Sequence, residues 1–205
     1  MKTVIRITKN TDNKHLNLYT ARYSSDGKEY DYYLASRRQQ QDLAINGKEK
    51  IDAVRILPYV IHKGKMYVIL IREFRHAVGK YVYSVPAGLV EKGEDIEQSA
   101  IRELREEIGA KVIDLKLTEK GGYVSLGLTD EKLACFEAQV QLVYRQQLDE
   151  KEDIKIKIVE LAKLQDFLNE NEFGLLDSLQ IKNFLMKHSL QNERSKNEEN
   201  SIIHW

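Results

Sequence analysis

The chain has 205 residues, 42% hydrophobic and 31% charged, which is an ordinary globular composition and long enough to bury a sizeable core, either as one large domain or as a main domain with a small companion. Lys and Arg total 32, as do Asp and Glu, so the formal net charge is zero and nothing draws the whole molecule to nucleic acid or an anionic membrane. The single cysteine, Cys135, excludes an internal disulfide and a thiolate zinc cluster, and with no apolar signal core in MKTVIRITKN and no run near the ~20 apolar residues of a membrane span, a reducing cytoplasm is the expected setting.

Residues 1–45 are rich in tyrosine and alternate polar with apolar in NLYTARYSS and EYDYYLASRR, on either side of a Ser25-Asp26-Gly27-Lys28 turn. Two or three strands of a small antiparallel sheet are predicted, and a sheet that small must pack on something larger. DAVRILPYVIH and KMYVILIREFR follow, joined at Lys63-Gly64, and their continuous apolar runs predict strands covered on both faces. YVYSV is a further strand that stops at Pro86, because proline cannot donate to a central ladder, and Ala87 to Gly93 reads as a loop.

A helix is predicted from Asp95, which forms a capping box with Gln98, to a glycine stop at Gly109. At 100° per residue Ile96, Ala100, Ile101, Leu104 and Ile108 cover a face ~140° wide, with Glu103 and Glu107 together at its edge and Glu106 further toward solvent. KVIDLKLTE, KLACFEAQVQLVY and IKIKIVE read as strands, with loop around Gly121-Gly122 and Leu126-Gly127. Two amphipathic helices close the fold, one over about 160–169 with Leu161, Leu164, Phe167 and Leu168 inward, and one over about 176–190 with Leu179, Phe184 and Leu185 inward. Cys135 is expected in the core, and the polar stretch 191–200 is expected to be poorly ordered. The expected organisation is an N-terminal sheet over 1–45, a main domain over 46–190 and a polar tail over 191–205.

The chemistry concentrates between Gly88 and Ala110. Seven carboxylates fall there, and Glu103 and Glu107 would repel at i,i+4 with no cation evident between them. A bland alternative is a solvated face with intrahelical pairs such as Arg102 with Glu106. A divalent metal would relieve the repulsion, and hard ions such as Mg²⁺ take carboxylate oxygens together with substrate phosphates. The five histidines are scattered without ligand spacing.

The order Gly88, five residues, Glu94, seven residues, then Arg102-Glu103-Leu104-Arg105-Glu106-Glu107-Ile108-Gly109 resembles the signature of the Nudix hydrolases. Only the last apolar slot, Ala110, is weak. The upstream Arg72-Glu73-Phe74-Arg75 and Val85-Pro86-Ala87-Gly88 resemble the ADP-ribose pyrophosphatase branch, as does the acidic Leu148 to Ile154. The resemblance covers roughly residues 50–190. It implies an α+β Nudix fold, an α/β/α sandwich with a mixed sheet between helices, beside the small N-terminal antiparallel sheet.

It also implies a Mg²⁺-dependent enzyme, with Mn²⁺ as the alternative ion, that cleaves ADP-ribose or a related ADP-sugar to AMP and a sugar phosphate. By the same resemblance Glu103, Glu106, Glu107, the Ala87 carbonyl and Glu152 bind metal, Glu150 is the catalytic base, and Arg75 contacts substrate. Arg102 pairs with the box carboxylates and belongs with Glu107 and Glu150 to the catalytic machinery; Glu94 supports the same network. Gly88 and Arg37 are the remaining candidates for the substrate site, Arg37 through an intertwined homodimer in which one N-terminal sheet helps bind the other subunit's nucleotide. Two positions depart from the branch: Leu126 stands where a proline is usual and Ser84 where Glu is usual, which leaves another nucleoside diphosphate derivative, such as a GDP-sugar, as the alternative substrate. A noncatalytic nucleotide-sensing module is the remaining alternative, and such modules tend to lose the carboxylates that are retained here.

Overall fold

The computed structural model describes residues 1–201 apart from 149, 151 and 152, with the backbone alone over 190–201. Three strands open the chain, β1 (Thr3–Lys9), β2 (Asn17–Ser25) and β3 (Lys28–Ser36), paired antiparallel in that order. The β2–β3 hairpin turns on Asp26 and Gly27, both at positive φ (52° and 76°), which is the backbone a tight two-residue hairpin needs and Asp-Gly tolerates. Tyr19, Ala21, Leu34 and Leu43 form a small core beneath this sheet.

The main sheet has seven strands: β4 (Ala53–His62), β5 (Lys65–Arg75), β6 (Lys80–Ser84), β7 (Ala87–Leu89), β8 (Ala110–Tyr123), β9 (Lys132–Leu142) and β10 (Ile154–Glu160). Its order is β10-β5-β4-β9-β8, with β6 added to β5 and β7 to β4. β4 and β9 run parallel and the other pairs antiparallel, so the sheet is mixed. Helix α1 (Ile96–Ile108) covers one face, packing Ala100, Leu104 and Ile108 on Val54, Ile56, Ile69, Ile71 and Phe136. Helices α2 (Leu164–Glu170) and α3 (Leu175–Ser201) cover the other, where Leu164, Leu168, Ile181 and Phe184 meet Leu57, Val68 and Leu70. Successive residues of β5 thus enter opposite cores, which is why its sequence is apolar without alternation. The α/β/α sandwich and the separate N-terminal sheet are as expected.

Several local expectations are corrected. Ala87–Leu89 is a short strand, not loop, because the start of β4 diverges from β5 and its ladder is completed by β7. β8 runs through Gly121-Gly122 to Tyr123, accommodating the glycines by register shifts after Val112, Leu117 and Glu119. Leu161–Lys163 is a 3₁₀ turn and α2 proper begins at Leu164. The inward stripe of α3 is Asp177, Ile181 and Phe184, at i, i+4 and i+7, which leaves Leu179 53% exposed. Helix α3 also continues to Ser201, since no Gly or Pro interrupts it. Cys135 is half-buried, on the face of β9 opposite Phe136. On α1, Ile101 is exposed while Ser99, Glu103 and Glu107 are buried, so the inward face is rotated toward the carboxylates.

The N-terminal sheet docks on the approach to β9. Ala35 N donates to Leu128 O (2.8 Å) and the Tyr32 hydroxyl to Gly127 O (2.8 Å). Buried Arg38 joins the two parts: its Nε and Nη2 reach the Asp52 carboxylate at 3.0 and 2.6 Å, and its remaining donors reach the carbonyls of Lys48 and Lys50. Among the described residues no helix is long and apolar enough to cross a membrane.

Candidate active site

Helix α1 presents the acidic cluster because both its ends are fixed. Asp95 accepts from Gln98 N and Gln98 Oε1 from Asp95 N, closing the capping box, while Gly109 ends the helix at φ 64°. A Cβ on Gly109 would stand 2.2 Å from the Tyr144 carbonyl, so glycine is required for both backbone and space. Gly109 O accepts from Val143 N and Tyr144 N, Glu106 O from Gln147 N, and Glu107 O from Gln146 Nε2. The segment that leads toward Glu150 is therefore tied to the last turn of α1. Beyond it, Asp153 accepts from the Tyr81 hydroxyl on β6. Glu150 lies exposed in a turn between these anchors, and Glu152 falls outside the described residues.

Arg102 is the hub of the cluster. Its Nε and Nη2 grip Glu94 at 2.9 and 3.1 Å, Nη1 lies 2.8 Å from Glu103 Oε1 and 3.0 Å from Glu106 Oε2, and Nη2 also donates to Leu89 O. Arg102 thus places a cation beside Glu103 and Glu106. Burial works against its charge, but Glu94, Glu103 and Glu106 more than offset this and raise its pKa. Glu94 is held down at about 2, first by Arg102 and then by the Ser99 hydroxyl. Glu103 and Glu107 are both buried, a placement that is costly for a carboxylate unless it is paired, and Arg102 and Ala87 N supply partners.

The facing wall is Val85-Pro86-Ala87-Gly88. In the β4–β7 ladder Ile56 N donates to Pro86 O and Val90 N to Asp52 O, so Arg55 and Ala87 oppose each other as a pair that does not exchange hydrogen bonds. Both the N–H and the C=O of Ala87 then face away from β4, and the N–H donates to Glu107 Oε2 at 3.1 Å. At the neighbouring Gly88 a Cβ would fall 1.8 Å from Glu103 Oε1, so any side chain there would displace that carboxylate. These observations pass the test of fit for a hard divalent ion: an all-oxygen donor set, a backbone carbonyl turned to the same side as a buried carboxylate, and a cradle kept open by glycine. As they stand, among the described residues, no three acidic, His or Cys side chains converge as a finished site, because Arg102 holds Glu103 and Glu106.

Arg75 and Arg37 have ion-pair partners outside the acidic cluster. Arg75, at the end of β5, pairs with Glu73 at 3.0 Å. Arg37 pairs with Glu131 at 3.1 Å, beside the N-terminal sheet and with no box residue. Between that sheet and residues 123–130 is a cleft of about 480 Å³ with Tyr23, Tyr30, Tyr32, Tyr123, Leu126 and Lys2 in its lining. Sequence reasoning missed Arg55 and Asp177, a buried pair in which Asp177 Oδ1 also accepts from Val85 N at 2.9 Å. Burial raises the Asp177 pKa, and the Arg55 charge opposes the rise. Their signal was present as two charges inside apolar patterns: Arg55 shares strand parity with core Leu57, and Asp177 lies on the stripe of Ile181 and Phe184.

The sequence pattern of the NUDIX domain matches residues 59–179. A Caenorhabditis elegans protein named as a Nudix hydrolase is 32% identical over 123 residues, and an uncharacterized Nudix hydrolase of Schizosaccharomyces pombe 36% over 126. These matches span 57 and 58% of this chain but only 55 and 60% of those relatives. An ADP-ribose pyrophosphatase of Bacillus subtilis is 32% identical over 146 residues, 69% of this chain and 76% of its own. A crystal structure of an ADP compounds hydrolase superposes with a TM-score of 0.71 at 21% identity, covering 94% of this chain and 95% of that one, which establishes likeness of fold. The chain belongs to the Nudix family, and within it resembles the ADP-ribose pyrophosphatases.

Proposed function

We propose that the protein is a Mg²⁺-dependent pyrophosphohydrolase that cleaves ADP-ribose or a related ADP-sugar to AMP and a sugar phosphate. The observation that carries this reading is the meeting of β7 with α1, where Gly88 makes room for Glu103 and Ala87 turns to Glu107. Glu103, Glu106, Glu107 and the Ala87 carbonyl would hold the ion, with Mn²⁺ as a substitute, and Glu152 is proposed as a further ligand. When bound, such an ion polarises the phosphoryl oxygens and neutralises charge that develops on them. Arg102 holds Glu103 and Glu106 in place while its Nε grips Glu94, and would keep the two carboxylates oriented for the ion. Glu150 is assigned the proton of the attacking water as a P–O bond of the phosphoanhydride bridge breaks. Arg75 is assigned to the substrate's phosphates, and Gly88 and Arg37 complete the proposed substrate contacts, Arg37 across a homodimer. The names of the B. subtilis relative and of an ADP-sugar pyrophosphatase from mouse, 44% identical over 62 residues, support the substrate class.

Ser84, buried with an unpartnered hydroxyl, and Leu126, 77% exposed, stand where the branch usually has Glu and Pro, and they favour a second reading with another nucleoside diphosphate sugar, such as a GDP-sugar. The test is purified protein with Mg²⁺ on a panel of ADP-ribose, ADP-sugars and GDP-sugars, with phosphate released by a coupled phosphatase. AMP from ADP-ribose is expected. GMP alone would select the second reading, and turnover of none would overturn both.

A further inference from the structure

The loop Val85–Ala87 is held by three elements, one residue each. Ala87 N donates to Glu107 Oε2 on α1, Pro86 O accepts from Ile56 N on β4, and Val85 N donates to Asp177 Oδ1 on α3. The first two anchors belong to the sheet and the Nudix helix. The third comes from the opposite layer of the sandwich, from a carboxylate in the first turn of α3 that is only 5% exposed. Arg55, whose side chain is likewise nearly buried, approaches the same Oδ1. Arg55 is also the residue that faces Ala87 across the β4–β7 ladder. A charge pair in this position is costly to desolvate and is weak support for stability in itself, since apolar residues of similar volume often serve as well. What an apolar pair could not supply is an acceptor for Val85 N, and Val85 and Pro86 offer no second donor, because proline has none.

We infer that Asp177, with Arg55 fixing its rotamer, is a positioning residue that sets the aim of the Ala87 carbonyl from the far side of the sheet, so that divalent-ion affinity depends on a contact between α3 and the loop. This rests on the metal site proposed above. Supports of this kind around metal ligands typically change affinity by about 10–100-fold when removed.

The test is Mn²⁺ affinity of the full chain, measured by the electron spin resonance signal of free Mn²⁺ without substrate, beside thermal melting. Asp177→Ala removes the acceptor and is expected to weaken Mn²⁺ binding about tenfold or more. Asp177→Asn keeps an oxygen for Val85 N while leaving Arg55 without a counter-charge, so its melting temperature is expected to fall while Mn²⁺ affinity stays within about twofold of wild type. If Asp177→Ala does not fold, the double variant Arg55→Met/Asp177→Leu, which buries no charge, takes its place with the same expected loss. Wild-type affinity in a folded variant that lacks the acceptor overturns the inference and leaves the metal site standing. No Mn²⁺ uptake by the wild type overturns the metal site and the inference with it.

Discussion

Glu107 does two things with one carboxylate: it accepts from Ala87 N, which fixes the loop, and it places negative charge inside the protein at the edge of the apolar face of α1. The variant Glu107→Gln separates them, because the amide oxygen can still accept from Ala87 while the charge is gone. Turnover is expected to fall by at least about a hundredfold with the melting temperature nearly unchanged, and full activity would remove Glu107 from the metal site. Glu94 gives a pH prediction. Its carboxyl sits at about 2 against an ordinary 4.5, so it contributes stability that is fully present above about 4.5 and is lost as pH falls through about 2. The melting temperature of Glu94→Gln should lie below wild type at neutral pH and converge on it below pH 4.5; a gap independent of pH would contradict the assignment. At this scale the acidic cluster was legible because its members lie within one helix and the loop before it, at spacings that fix their relative direction. Arg55 and Asp177 were not, because 122 residues separate them and only the folded sheet brings them together.

Helix α1 was legible in its boundaries, since Asp95, Gln98 and Gly109 satisfy its terminal groups locally. Its orientation was not. A pattern of Ile96, Ala100, Ile101, Leu104 and Ile108 centres the buried arc between the isoleucines, yet packing on the sheet turns the helix so that Ile101 is exposed and Glu103 and Glu107 go inward. Hydrophobicity alone would resist that rotation, and the contacts of Arg102 and Ala87 with these carboxylates offset it. The short β7 was hidden for a related reason, as its three residues have no periodicity and exist as strand only because β4 offers an open edge. Gly109→Ala must adopt a left-handed backbone and push the Tyr144 carbonyl, at 2.2 Å, away from the cap. The left-handed conformation alone costs about 1–2 kcal/mol, and the clash adds to it, so urea unfolding should report a loss of at least that size. Activity should fall as well, because Val143 and Tyr144 begin the segment that leads to Glu150. A variant with wild-type stability would mean that the cap is not the constraint it is taken to be.

At the scale of the molecule, the N-terminal sheet meets the main domain along residues 127–131, and buried Arg38 ties it to Asp52. Arg38→Ala leaves Asp52 buried with only Lys132 N and the distant Lys50 ammonium, so a loss of about 3 kcal/mol is expected, seen first as faster hydrogen exchange over β1 to β3. The same sheet carries the proposed homodimer. Its small core is satisfied, but Leu126 and Leu128, 77 and 60% exposed, stand open with Tyr30 and Tyr32 in the lining of the tyrosine-lined cleft. Isolated apolar residues on a surface need no explanation, whereas a set gathered around one cleft, where residues 123–130 meet the sheet, is what an interface core looks like before its partner arrives. With zero net charge there is little electrostatic repulsion between copies to oppose association. Sedimentation equilibrium should therefore give twice 23.9 kDa, and a charge placed in the patch, as in Leu128→Glu, should return it to the single-chain mass. If substrate also reaches Arg37 across that interface, the same variant should raise KM with little change in kcat, because it removes binding and leaves the metal site intact. A monomer at every concentration would remove both the dimer and the role of Arg37.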